Sequence, residues 1–160
     1  MGTRSFLVIA LILSISSTSR GQVDSGSFNG IPWGSEISTL QGFIPLREFR
    51  DYKICQRNGD VRQINGVGVE TIRYEFYKEK FYAGKILFSG DESFRLLRDA
   101  QRRRYGPEER KNRYLEEYEW ASDSLMIILS YSDGDRRGSL EYVFKPIFDQ
   151  ITRDENCCTP

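Results

Sequence analysis

The chain has 160 residues, 23 basic and 23 acidic side chains, and no histidine. That length suits one domain with a sizeable core, and a formal charge of zero speaks against nucleic-acid binding. Without imidazole, Ser-His-Asp and Cys-His nucleophiles, His-based zinc sites and imidazole acid–base catalysis are excluded.

The N-terminus reads as an export signal. Met1 to Ser5 carries one charge, Arg4; Phe6 to Leu13 is unbroken apolar sequence; Ser14 to Gly21 is rich in small polar residues. That is the plan of a cleavable signal peptide over residues 1–21, and the apolar run falls far short of the roughly 20 residues needed to cross a bilayer. Ser19-Arg20-Gly21 sets cleavage before Gln22, with cleavage before Arg20 the alternative. No cysteine follows the run, which speaks against a lipid anchor. The expected location is therefore the periplasm or the exterior. Loss of the signal removes Arg4 and Arg20 and no acid, so the remainder is slightly acidic.

Residues 22–153 are expected to form one domain. Gln22 to Ser27 is a small, polar leader, and Phe28 to Gly34 reads as a short strand ending in a turn. Ser35 is a good cap for a short helix through Leu40, which Gly42 ends. Phe43 to Leu46 is a strand. Tyr52 to Arg57 and Val61 to Ile64 flank Asn58-Gly59, a hairpin signal because both residues tolerate positive φ. Gly66-Val67-Gly68 suggests a bulge or loop. In Glu70 to Tyr77, Ile72, Tyr74 and Phe76 share one face and Thr71, Arg73 and Glu75 the other. Lys78-Glu79-Lys80 is a charged turn, and Phe81 to Phe88 returns with Gly84 marking a bulge.

Asp91 to Tyr105 is the clearest helix, capped by Asp91 or Ser93 and ended by Gly106-Pro107. At about 100° per residue, Phe94, Leu96, Leu97, Ala100 and Tyr105 fall on one half of the cylinder. Arg95, Arg98 and Arg102 fall in a sector about 60° wide on the other half. Tyr114, Tyr118 and Trp120 mark one face of the next strand and Glu117 and Glu119 its other face. Leu125 to Leu129 is apolar throughout, as in a strand buried on both sides. Asp133 to Gly138 is a turn. Leu140 to Phe144 alternates, and Pro146 opens a last helix ending near Arg153. Residues 154–160 are expected to be a disordered tail.

Short turns between neighbouring strands predict mainly antiparallel pairing, so the expected class is α+β: antiparallel sheet with the helices packed on one face. The order of elements permits two similar halves of helix plus strands.

The segments Phe28-x-Gly30-Ile31-x-Trp33-Gly34-Ser35-x-Ile37, Ile72-x-Tyr74-x-Phe76-Tyr77-Lys78-x-x-Phe81-Tyr82, Tyr105-Gly106-Pro107, Trp120 and Phe144-x-Pro146-Ile147-Phe148 resemble a family of uncharacterised exported bacterial proteins. The resemblance covers most of the chain after the signal and implies a bacterial envelope location with no assigned activity. Gly34 to Ile37 is also similar, more weakly, to the helix start of secreted β-lactamase inhibitor proteins and small outer-membrane assembly lipoproteins. That likeness concerns fold, which does not fix function.

Few residues carry chemistry. Cys55, Cys157 and Cys158 are an odd number, and an oxidising compartment permits a disulfide from Cys55 to the tail pair, or between the vicinal pair itself. Glu117 and Glu119 project together about 7 Å apart, a spacing compatible with paired-carboxylate catalysis but commoner on a solvated sheet face. Asp133-Gly134-Asp135 lacks the spacing of a calcium loop, and Gly66-Val67-Gly68 is half a dinucleotide fingerprint without its helix. Trp33 and Trp120 suit a core better than a stacking platform. The surface feature that points outward is basic: Arg95, Arg98, Arg102, Arg103, Arg110 and Lys111, with Arg104 and Arg113 nearby, fit an anionic lipid, glycan or protein surface. The reading is a non-catalytic protein-binding or envelope-assembly module with no cofactor or metal. The alternatives are a small-molecule or lipid-binding domain, and an enzyme working without histidine.

Overall fold

The computed structural model describes residues 26–111 and 114–157. The expected signal segment and Cys158 lie outside them. In chain order the strands are β1 (Ser27–Phe28), β2 (Ile31–Pro32), β3 (Phe43–Phe49), β4 (Tyr52–Arg57), β5 (Gln63–Ile64), β6 (Val67–Gly68), β7 (Thr71–Tyr77) and β8 (Lys80–Ser89). Helix α1 (Asp91–Tyr105) follows, then β9 (Glu116–Ala121), β10 (Leu125–Ser132), β11 (Arg137–Phe144) and helix α2 (Lys145–Cys157). Seven strands form one antiparallel sheet in the order β3-β4-β7-β8-β11-β10-β9, while β1-β2 and β5-β6 are separate hairpins. The class is α+β with antiparallel sheet, as expected.

Turn chemistry explains the local pairing. Asn29-Gly30, Asn65-Gly66 and Lys78-Glu79 each place two consecutive residues at positive φ, the conformation that closes a two-residue hairpin. These turns join β1 to β2, β5 to β6 and β7 to β8. The hairpin expected at Asn58-Gly59 is corrected: only Gly59 is left-handed there, and β5 pairs with β6 rather than with β4. Gly66-Val67-Gly68 is accordingly a turn and a strand. Ser35 does not cap a helix; a single 3-10 turn spans Ile37–Thr39, and the Ser35 hydroxyl donates to the Pro32 carbonyl at 2.7 Å.

The alternation of β7 holds. Ile72, Tyr74 and Phe76 are buried on one face together with Phe81, Ile86 and Phe88 of β8, Leu140 and Tyr142 of β11, and Phe94 and Leu97 of α1. The opposite face carries a second, smaller cluster in which Ile147 and Ile151 of α2 meet Tyr77, Tyr82, Ala83 and Val143. Tyr142 and Val143 are adjacent on β11, so the two clusters lie on opposite sides of the sheet. The placement of both helices on one face is therefore corrected: α1 covers one face and α2 part of the other. This also bears on the two-halves idea. β8 and β11 are the antiparallel neighbours where the halves meet. A duplication about them requires a two-fold along the sheet normal, and it concerns the Ser35–Leu40 segment and α1, which lie on the same side: Ile37 and Leu40 pack against the cluster that holds Phe94 and Leu97.

Gly84 marks no bulge; the extra residue of β8 is Tyr82, between the Phe76–Phe81 and Glu75–Ala83 pairs. Tyr114 is exposed and precedes β9 rather than sharing its buried face, and β10 is fully buried on one side only, with Met126 and Ile128 half-buried. Residues 154–157, expected in a disordered tail, belong to α2, and residues 158–160 lie outside the described ones. Tyr52 donates to Glu155 at 2.7 Å, and Tyr77 and Lys78 donate to Asp154 at 2.9 and 2.8 Å, which holds α2 helical through Cys157. The Lys78 and Tyr77 hydrogen bonds also hold the Asp154 carboxyl below its ordinary pKa. Among the described residues no helix is long and apolar enough to cross a membrane.

Candidate functional site

The basic cluster is the first feature the fold takes apart. Arg98 lies between the rings of Phe94 and Tyr118, at 5.4 and 5.3 Å, with its Nε buried. Arg102 pairs with Glu108 at 2.5 Å, Arg110 with Glu116 at 2.9 Å, and Lys111 with Glu109 at 3.0 Å. Arg95 and Arg103 are exposed and have no ion pair among the described residues. Three of the six candidate cations are thus paired within the fold, because nearby acids become partners in space. Glu108 is held below its ordinary carboxylate range by Arg102 against the opposing effect of its own burial.

The other sequence candidates resolve into structure. Trp33 stacks on Phe81 at 4.9 Å and Phe144 at 5.9 Å, and Trp120 is buried with Nε1 donating to the Gly106 carbonyl at 2.9 Å. Glu117 accepts from Ser130 at 3.4 Å, and Glu119 lies 3.8 Å from Lys111, so the two carboxylates answer to separate neighbours. Asp133 to Arg136 is an exposed turn between β10 and β11. The disulfide from Cys55 to Cys157 is corrected. Cys55 is fully buried among the residues that α1 covers, Cys157 is exposed at the end of α2 beyond the other face, and both thiols are free. Burial raises the Cys55 thiol above its ordinary range.

The two edges of the sheet differ. At one edge, Glu109 bridges to Glu119 of β9 through two backbone hydrogen bonds of 2.9 Å, so the connection after α1 covers that strand. At the other edge, among the described residues β3 has no strand beyond it, and it exposes Ile44, Leu46 and Phe49 at 47, 49 and 59%. The register of β3 on β4 shifts between Pro45 and Arg47, leaving Leu46 as an extra residue. Pro45 and this bulge divide the edge into two short stretches.

Beside the second stretch lies a groove of about 340 Å³ on the face that α2 partly covers. Phe49 and Arg47 of β3, Tyr52, Lys53 and Ile54 of β4, Glu75 of β7 and Tyr82 of β8 line it. Alternation brings them together, since Phe49 pairs with Tyr52, Arg47 with Ile54 and Ile54 with Glu75. Glu75 is the unusual member. It accepts from Tyr82 at 3.0 Å and has no ion pair among the described residues. Burial, with the Glu141 carboxylate nearby, raises it above the usual carboxylate range; the Tyr82 hydrogen bond and the charges of Lys85 and Arg73 pull the other way. Tyr82 is itself raised by burial and by Glu75.

None of the groove residues stands out in the sequence. Glu75 falls on the polar side of an alternating strand, and only the position of α2 shows that this side is half-buried. Phe49 follows Arg47-Glu48, and the expected strand stops before them.

Because Glu75 is held protonated more tightly in the folded chain than in the unfolded one, its contribution to stability is present at low pH. It is lost as pH rises from the ordinary glutamate range through the higher folded value. Glu75→Gln keeps an acceptor for Tyr82 and removes the charge, so it should raise the urea midpoint at neutral pH and have little effect near pH 4. Equal shifts at both pH values would count against desolvation as the cause.

No family model matches the chain, and no curated protein or solved structure is significantly similar to it.

Proposed function

We propose that this chain is a non-catalytic protein-binding or assembly module of the bacterial envelope that takes its partner along the bare edge of the sheet. The observation that carries the reading is the contrast between the edges. One is closed by the Glu109–Glu119 bridge, and the other ends on β3 with three large apolar side chains exposed. Free backbone groups beside apolar side chains suit the addition of an extended segment from another protein. The stretch from Arg47 to Phe49 is the better half, because it lies past the bulge and borders the groove. The signal-like N-terminus and the resemblance to exported bacterial proteins support the location.

The test is comparative capture from an envelope fraction with a tagged chain beginning at Gln22. A protein recovered by the wild type should bind Leu46→Lys or Phe49→Lys at least about tenfold more weakly, a loss of about 1.4 kcal/mol. Arg95→Ala/Arg103→Ala should bind as the wild type does. Equal binding by the edge variants, or loss with the arginine pair, would move the interface elsewhere. A ligand that fills the groove without a protein would favour the small-molecule alternative.

A further inference from the structure

We propose that the groove beside β3, formed by β3, β4, β7 and β8, receives a cationic side chain, lysine or arginine, from an extended segment lying along Arg47–Phe49. The inference deepens the edge-docking reading and rests on it for the macromolecular setting, but its chemistry stands on the groove. Three aromatic rings, Phe49, Tyr52 and Tyr82, and the aliphatic Ile54 line the groove with one carboxylate, Glu75, and two cations at its sides, Arg47 and Lys53. Aromatic faces attract cations, and a desolvated carboxylate gains most from a charge-assisted hydrogen bond.

Glu75 has no ion pair of its own among the described residues, because the nearby lysines answer to other acids. Lys85 is committed to Glu141 at 3.0 Å, and Lys53 to Glu79 at 2.8 Å with Glu48 at 3.9 Å. Arg73, two residues along the same strand, is exposed. Tyr52 faces the groove with its hydroxyl spent on Glu155 of α2. Glu75 therefore keeps one hydrogen bond, from Tyr82, and a like-charged neighbour in Glu141. A buried acid that lacks its own counter-ion is a cost that a ligand can remove. Arg47 stands at the mouth, exposed, and its charge opposes an entering cation. That opposition supplies a second, oppositely signed test. The volume suits a single long side chain.

The experiment uses the chain from Gln22 and three probes of equal length: hexylammonium, hexanol and hexanoate, titrated by NMR shifts of the groove residues. Hexylammonium should bind about fivefold more tightly than hexanol, as one cation–π or charge-assisted contact implies. Glu75→Gln should erase that preference, and Arg47→Ala should enlarge it. Lowering the pH until Glu75 is protonated should also erase it in the wild type. Hexanol or hexanoate binding as tightly as the ammonium, or a preference that survives Glu75→Gln, would overturn the proposal. Its failure is separable from that of the edge reading. Loss of partner binding in Leu46→Lys with no ammonium preference would sink only the groove chemistry. An ammonium preference with no effect of Leu46→Lys on any partner would sink only the docking.

Discussion

Phe28→Ala should destabilise the fold by about 3–5 kcal/mol, Gly84→Ala by about 1–3 kcal/mol, and the double variant by clearly less than their sum. Phe28 is almost wholly buried, with its ring centre 5.5 Å from that of Tyr142, 5.8 Å from Tyr74 and 6.2 Å from Trp33. It reaches this position because the Asn29-Gly30 turn folds β1 and β2 over the face that α1 also covers. Gly84 lies beneath it in β8, paired with Tyr74 on one side and Tyr142 on the other. A Cβ at Gly84 would come within 2.3 Å of the Phe28 ring. The alanine methyl and the phenyl ring thus compete for one volume, and removing the ring relieves the clash. Equilibrium urea unfolding of the two single variants and the double closes the cycle. Strict additivity would show that Gly84 is needed for its backbone instead.

Asp60→Ala should cost about 3 kcal/mol, since it leaves partly buried groups without their common acceptor. One carboxylate oxygen of Asp60 accepts from Tyr74 Oη at 2.7 Å, Arg57 Nε at 2.8 Å and Asn29 Nδ2 at 3.2 Å. Asn29 Nδ2 also donates to Tyr74 Oη at 2.7 Å, and the Arg57 guanidinium lies 5.4 Å from the Tyr74 ring centre. The network ties three parts of the chain to the core: the first hairpin, the end of β4 and the loop after Gly59. Tyr74→Phe removes one donor and leaves the ring, so it should cost nearer 1 kcal/mol. Asp60→Asn, which keeps an acceptor, should fall between. If Asp60→Ala proves as mild as Tyr74→Phe in thermal unfolding, the network is peripheral to stability. Burial and the Asp60 bond raise the Tyr74 hydroxyl above the ordinary tyrosine range, so its ionisation should not limit the fold at moderately alkaline pH.

The sheet was legible where local rules act alone. The end of α1 follows from Gly106-Pro107, and the buried side of β7 from simple alternation; the expected cap at Asp91 or Ser93 is corrected, since Gly90 stands at the N-cap with no side-chain cap, and Gln101 rather than Leu96 is buried. Three-dimensional encounters were not legible. Gly84 reads as a weak point in a strand because a sequence does not show the ring of Phe28 lying above it. Asn58-Gly59 has the composition of a hairpin turn, but β7 takes the place beside β4 that such a hairpin would fill. The arginine run looks like a bare patch because Glu108, Glu109 and Glu116 are separated from their partners along the chain. Glu75 belongs to the same class. Its hydrogen-bond donor, Tyr82, lies on the next strand, and the carboxylate beside it, Glu141, lies on β11, which reaches β7 only through β8.

A naked strand invites copies of itself to stack without limit, and most proteins hide or blunt such a margin. Here the kink at Leu46, the missing amide hydrogen of Pro45 and the charges of Arg47 and Glu48 leave no straight template longer than three residues. The margin can therefore accept one short visitor yet cannot seed a growing fibre. Straightening it, by replacing Pro45 and deleting the extra residue, would create the conditions for polymerisation.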